Sequence, residues 1–234
     1  MEKYLIAGIK VGMTLRDGII KEQAKDYICG FEGEPEISIG LSDSFIRQKH
    51  AELPHLSEEE CEYIWTGFEF CTKLLPYDAF MLHASAVAYD GYAYLFSAPS
   101  GTGKSTHTAL WQKVFGEDRT YIINDDKPVI RLHEDGAWVY GTPWSGKTDK
   151  NRNARVPLRG ICFLERAPQN WIGRLSPGNA IYPILNQTLR PAYGDDMTAL
   201  LALLDRLLRK TKVFRMGCNM EDEAAYTAYR GMNE

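Results

Sequence analysis

The chain has 234 residues, 44% hydrophobic and 25% charged, proportions of an ordinary globular protein that exclude the disordered and fibrous classes. Its 27 basic and 31 acidic residues give a formal net charge of −4, so the basic excess of a dedicated nucleic-acid binder is missing and no nucleic-acid partner is expected. The five cysteines form no C-x-x-C pair, and the apolar run Ala199–Leu204 stops at Asp205, far short of the roughly 20 residues of a membrane span. Lys10 interrupts the N-terminal apolar stretch and no small-residue cleavage site follows it, so a cytoplasmic protein without a membrane partner is expected.

In chain order, Tyr4–Val11 and Glu36–Leu41 read as short strands between turns. Ser57-x-x-Glu60 is a capping box. It opens a helix on which Cys61, Ile64, Trp65, Phe68, Cys71 and Leu75 make one apolar face, ended by Pro76. From Met81 the pattern turns to strands. Ala84–Tyr89 and Tyr92–Phe96 flank Asp90-Gly91, a dipeptide suited to a type I′ turn. Further strands are expected over Tyr121–Asn124, Val129–Leu132, Trp138–Tyr140 and Ile161–Glu165. Met197, Leu200, Leu201, Leu204, Leu207 and Leu208 mark an amphipathic helix, either core or a contact in a homo-oligomer. A strand near Val213–Met216 and a helix over Glu221–Arg230 close the chain. The fold class is α/β: a core over 81–234 with a mixed sheet and flanking helices, and an N-terminal α+β appendage over 1–80.

The most informative segment is Leu95-Phe96-Ser97-Ala98-Pro99-Ser100-Gly101-Thr102-Gly103-Lys104-Ser105-Thr106, a strand–[G/A]xxxxGK[S/T]–helix pattern. Gly101 and Gly103 let successive amides point into one concavity that holds phosphate oxygens, and the helix adds its positive end. Lys104 then reaches the β- and γ-phosphates, and the Ser105 hydroxyl sits on Mg²⁺. The strings D-x-x-G after the loop and N-K-x-D are absent, which excludes a GTPase switch. Downstream, the apolar run Tyr121–Asn124 delivers Asp125 and Asp126, where one carboxylate can serve a metal and the other take a proton from an acceptor hydroxyl. Residues 140–155 are rich in glycine and cations. They read as a mobile loop in which Lys147, Arg152 or Arg155 clamps the phosphoryl charge and Trp144 stacks on base or substrate. On their own, His83 and His107 read as packed core histidines.

Leu82-His83-Ala84-Ser85-Ala86-Val87, the Asp90-Gly91 hairpin, Ser100–Ser105, Asn124-Asp125-Asp126 and Leu158-Arg159-Gly160-Ile161 stand in an order that resembles HPr kinase/phosphorylase, of the phosphoenolpyruvate-carboxykinase-like group. The resemblance covers about residues 80–165. It implies a P-loop kinase fold, ATP with Mg²⁺, and transfer to a hydroxyl. It also implies a role for each residue: Asp125 as proton acceptor, Asp126 on the metal side, His83 lining the phosphate site, and Arg159 as the arginine before the glycine. The loop departs from the family in reading Pro-Ser-Gly-Thr-Gly rather than Asp-Ser-Gly-Val-Gly, and Pro157 replaces the family's glutamate, so an HPr-type protein partner is not implied. The expected site comprises Lys104, Asp125, His83, Arg155 and Arg159 for transfer. Ser100, Gly101, Thr102, Gly103, Lys104, Ser105 and Thr106 are expected to hold the nucleotide, and Ser105 and Asp126 the metal. Three readings stand: a kinase acting on a serine of a protein or peptide or on a small hydroxylated metabolite, a carboxykinase-type phosphotransferase, and a nucleotide-binding sensor without transfer.

Overall fold

The computed structural model describes residues 1–189 and 195–234. The chain opens with a small three-stranded sheet. β1 (Glu2–Ile6) and β2 (Ile9–Thr14) are antiparallel, and β3 (Ile37–Gly40) lies parallel to β2. The apolar run expected as one strand is broken because Ala7 and Gly8 take φ of 54° and 72°, the pair of left-handed residues a two-residue hairpin turn needs. Three helices accompany this sheet: α1 (Ile19–Gln23), α2 (Asp43–Glu52) and α3 (Glu58–Thr72). The capping box forms as written: the Ser57 hydroxyl accepts from the Glu60 amide at 3.1 Å, and the Glu60 carboxylate accepts from the Ser57 amide at 2.8 Å.

α3 ends at Thr72, ahead of Pro76, and its apolar face is not the expected one. Cys61, Glu62, Thr66, Phe70 and Cys71 are buried, whereas Ile64 and Phe68 are each 42% exposed. Phe70 and Cys71 join Tyr4, Ile39 and Trp144 in one apolar cluster, and this contact rotates the 64/68 line outward.

The larger sheet comprises β4 (Ala79–Met81), β5 (Ala84–Tyr89), β6 (Tyr92–Ser97), β7 (Thr120–Asn124), β8 (Val129–His133), β9 (Gly136–Tyr140), β10 (Arg155–Arg166), β11 (Trp171–Leu175) and β12 (Lys212–Cys218). Its order is β4-β8-β9-β10-β6-β5-β7, with β12 on β10 and β11 on β12. The strand expected over Ile161–Glu165 is the second half of β10. The first residues of β10 pair antiparallel with β9, and from Leu158 onward it runs parallel to β6 and β12. One strand thus joins an antiparallel half-sheet to a mixed one. All six residues of β5 are buried, as in a strand covered on both faces. On one face, Val87, Tyr89 and Phe96 pack with Trp111 of α4 (Lys104–Phe115) and with Ala224, Ala225 and Ala228 of α7 (Glu223–Asn233). On the other, Ala84, Ala86 and Leu95 meet α5 (Pro177–Gln187) and α6 (Asp195–Lys210). Leu200, Leu203, Leu204 and Leu207 of α6 are buried there, so the core alternative holds for that face. α5 and β11 had no clear signal in the sequence. Among the described residues no helix is long and apolar enough to cross a membrane.

Candidate functional site

Strand register brings the chemistry to one end of the sheet. β5 and β6 are antiparallel with Ala84 opposite Ser97, and β5 and β7 are antiparallel with Ala86 opposite Asn124. The residue before β5, the loop after β6 and the pair after β7 therefore emerge side by side. They are His83, residues 98–103 and Asp125-Asp126, and α4 starts among them.

Gly101 and Gly103 have φ of 77° and 122°, and a Cβ at either would meet nothing within 4 Å. Glycine is needed there for the left-handed backbone, not for space. The Gly103 N-cap offers α4 no side-chain bond, so the first-turn amides and the positive end of the helix stay open to the cleft. Lys104 is buried and its Nζ donates to the Ala98 carbonyl at 3.0 Å. Burial pulls its ammonium below the ordinary lysine range and Lys127 adds to this, while Asp126 and Asp125 oppose it. At the end of β10, Arg166 donates to the carbonyls of Gly101 at 2.6 Å and Thr102 at 3.3 Å, bracing the loop from outside.

The adjacent aspartates face different surroundings. The Asn124 side chain accepts from the amides of Asp126 (2.9 Å) and Lys127 (2.6 Å), an Asx turn that reverses the chain just after β7. Asp125 is buried. Its Oδ1 accepts from the Ser85 hydroxyl at 2.6 Å and its Oδ2 from the Thr148 hydroxyl at 2.9 Å. Asp126 is more open and meets Lys127 Nζ at 3.0 Å and His83 Nε2 at 3.3 Å. His83 Nδ1 lies 2.9 Å from Gln187 Oε1, and its backbone amide donates to the Gln187 carbonyl. Burial, together with Lys127 and Lys104, holds the His83 pKa below the ordinary value against the pull of Asp126.

His83, Lys104, Asp125 and Asp126 line a cleft of about 450 Å³ together with Ser100, Gly101, Gly103, Ser105, Thr106 and Ser145–Thr148. The expected His83, Lys104, Asp125 and Asp126 thus come together. Thr102 turns to the outer side of the loop, where it borders a separate cavity. Arg155 and Arg159 are not brought in. Arg155 begins β10 with its guanidinium 3.9 Å above the Trp138 ring. Arg159 falls at the register shift between Leu158 and Gly160, near the start of β6, and donates to the Asn233 carbonyl. The loop lies beyond the other end of β6, on the order of 10 Å along the strands.

Segment 141–155 is a strap rather than a free loop. The Asp125 amide donates to the Lys150 carbonyl (3.1 Å), the Arg152 amide to the Ile123 carbonyl (3.0 Å), and Asn124 Nδ2 to the Thr142 carbonyl (2.8 Å). Arg152 lies over the Tyr121 ring, which leaves Lys147 as the expected clamp cation that reaches the cleft. Trp144 is 1% exposed and stacks on Phe70 at 4.8 Å, so it is packing and not a free surface for a base. His107 is a core residue as expected.

The donor set suits Mg²⁺ only in company. Ser105 and Asp126 both face the cleft, but among the described residues no three His, Cys, Asp or Glu side chains gather to hold a metal. Magnesium bound by one or two protein oxygens plus phosphate oxygens matches that supply. Ser85, Thr148, Lys127, Gln187 and Arg166 were given no role from the sequence. A serine among the apolar residues of Ala84–Val87 was a signal for Ser85. Gln187, 104 residues from His83, had none.

The sequence model of the family described as SynChlorMet cassette protein ScmC matches residues 63–222, from α3 to the start of α7. The chain belongs to this family. The ScmC match takes in the loop, the aspartate pair and the strap, and leaves out the small N-terminal sheet. No curated protein matches the chain. Among solved structures, the HPr(Ser) kinase/phosphatase from Coxiella burnetii aligns with 65% of this chain and 94% of its own, at 12% identity and a TM-score of 0.37.

Proposed function

We propose that the cleft binds Mg·ATP and transfers its γ-phosphoryl group to a hydroxyl acceptor. The observation that carries this reading is the uncapped N-terminus of α4, with Lys104, facing two carboxylates across one cleft. The open amides of the first turn and the glycine-rich loop bind the phosphate chain, and Lys104 takes the charge at the β/γ end. When bound, Mg²⁺ neutralises phosphate oxygens, and Ser105 and Asp126 are the residues that would hold it. Asp125 accepts the proton of the attacking hydroxyl. Its bonds from Ser85 and Thr148 fix its orientation and still leave acceptor sites, since a carboxylate offers about four lone-pair positions. Lys147 screens the transferring group from the strap side.

The test is transfer of label from [γ-³²P]ATP with Mg²⁺ to hydroxyl compounds and to cell-extract fractions, with product identification by mass spectrometry. Lys104→Ala is expected to abolish transfer with the fold intact by circular dichroism. Asp125→Asn is expected to bind Mg·ATP normally and lose about 10²–10⁴-fold in transfer rate, the range of a general base. Asp126→Ala is expected mainly to weaken magnesium-dependent nucleotide binding. Wild-type turnover in Lys104→Ala sinks the reading. Nucleotide binding without transfer to any acceptor makes the protein a sensor instead.

A further inference from the structure

A second cavity, about 440 Å³, adjoins the phosphate cleft and shares His83 and Asp126 with it. Its walls are mainly apolar, with Ile64, Phe68, Met81 and Trp144 among the lining residues. Tyr63, Asn186 and Thr188 also border it, and two further polar residues, Lys127 and Gln187, are the partners of the shared pair. Ile64 and Phe68 stand one helical turn apart, each 42% exposed, although α3 already has a complete buried face. Between them, Gly67 lets the helix backbone rest on the Trp144 ring, where a Cβ would stand 2.8 Å from Cδ1. A concave, mainly apolar chamber with a few polar groups has the form of a ligand pocket.

The direction of the nucleotide decides which ligand. In a loop of this type the lysine marks the β/γ end of the phosphate chain and the loop amides its α/β end. On that side lies a separate cavity of about 590 Å³, bordered by Thr106, Leu110, Arg166 and Met220 and touching neither His83 nor Asp126. We propose that the base leaves that way, that the apolar chamber, which shares His83 and Asp126 with the cleft, opens at the γ-phosphoryl end, and that it seats an acceptor carrying an aromatic or branched aliphatic group beside its hydroxyl. This rests on the kinase reading above. In the step, the acceptor oxygen bonds to the γ-phosphorus and the bond from that phosphorus to the β,γ-bridging oxygen breaks. The electron pair leaves with ADP, and the hydroxyl proton passes to Asp125.

The test uses two probes, the end-capped dipeptides Phe-Ser and Gly-Ser. Their binding is read by calorimetry in the presence of Mg·AMP-PNP and their phosphorylation with Mg·ATP. The full chain is compared with Ile64→Asp and Phe68→Asp, whose side chains are half exposed and whose folding is checked by thermal melting. The wild type is expected to favour the phenylalanyl probe by about tenfold or more, the usual discrimination of an apolar pocket. Either variant is expected to erase that preference with Mg·ATP affinity unchanged. Equal treatment of both probes, a preference that survives both substitutions, or binding of neither probe overturns the assignment. So does a loss of Mg·ATP affinity in Phe68→Asp, which would make the chamber the base site. If the wild type binds no Mg·ATP at all, the kinase reading itself fails and takes this proposal with it.

Discussion

His83 and His107 flank the same loop, yet only one belongs to the cleft. His107, on the first turn of α4, is 2% exposed, packs on Phe96 and accepts from Trp111 Nε1 at 3.3 Å. Its Nδ1 has no partner among the described residues, and burial lowers its pKa from 6.5 to about 3. The native state therefore holds this ring neutral while the unfolded chain protonates it near pH 6.5. Between those values the unfolded state binds more protons, so the stability present above pH 6.5 drains away as the pH falls toward 3. Denaturant titrations of His107→Leu at pH 7, 5.5 and 4.5 are expected to show a shallower acid limb than the wild type, by up to about 1.4 kcal/mol per pH unit. A parallel acid limb in the variant would assign the loss to other groups. Single-residue reading pointed to residues that share one cleft where the neighbours in sequence are also the neighbours in space, as in Gly101, Gly103, Lys104 and the aspartate pair. It failed for Arg155 and Arg159, because a guanidinium's surroundings on β10 depend on which strand lies opposite and on the register shift at Leu158.

At the level of elements, the segment between β9 and β10 is a strap held to the sheet where a mobile loop was expected. Thr148 reaches Asp125 from it, and the bridge between Asn124 and Asn151 locks it to the end of β7. Loss of one hydrogen bond to Asp125, the proposed proton acceptor, is expected to slow the proposed transfer about tenfold, roughly 1.4 kcal/mol of barrier. Thr148→Val is the variant and Thr148→Ser the control that restores the hydroxyl. The expected pattern is a lower kcat in Thr148→Val, unchanged Mg·ATP affinity, and recovery in Thr148→Ser. Equal rates in all three proteins would remove Thr148 from the positioning of Asp125. The helices α3, α4, α6 and α7 were legible from their period, caps or motif, but α1, α2 and α5 were not, nor was the outward rotation of α3. A sequence period of 3.6 places Ile64, Phe68, Phe70 and Cys71 on adjoining faces, and which face is buried follows from what packs against it.

On the scale of the molecule, the strap contributes to the apolar cluster in which the two sheets meet. Trp144 sits in it, stacks on Phe70 of α3 and donates to Thr66 at 3.3 Å, inside a cluster that runs from Tyr4 and Ile39 to Val129 and Tyr140. Trp144→Ala is expected to cost about 3–5 kcal/mol, the range for emptying a buried aromatic site. It is also expected to weaken acceptor binding, since Trp144 backs the apolar chamber. Chemical denaturation with tryptophan-independent detection measures the first effect, and a cost below about 1 kcal/mol would show that the two sheets are held together elsewhere. The sequence by itself determined the α/β class, the turn at Asp90-Gly91, the capped start of α3, and the loop with its lysine and the aspartate pair. Each of these is written in residues close together along the chain, where backbone geometry and local hydrogen bonds dominate. Only the tertiary structure decided the pairing of His83 with Asp126 and Gln187, the retention of Asp125 by Ser85 and Thr148, the removal of Arg155 and Arg159 from the cleft, and the apolar chamber beside it. Those depend on strand register and on packing between segments as far as 104 residues apart, which a linear pattern does not carry.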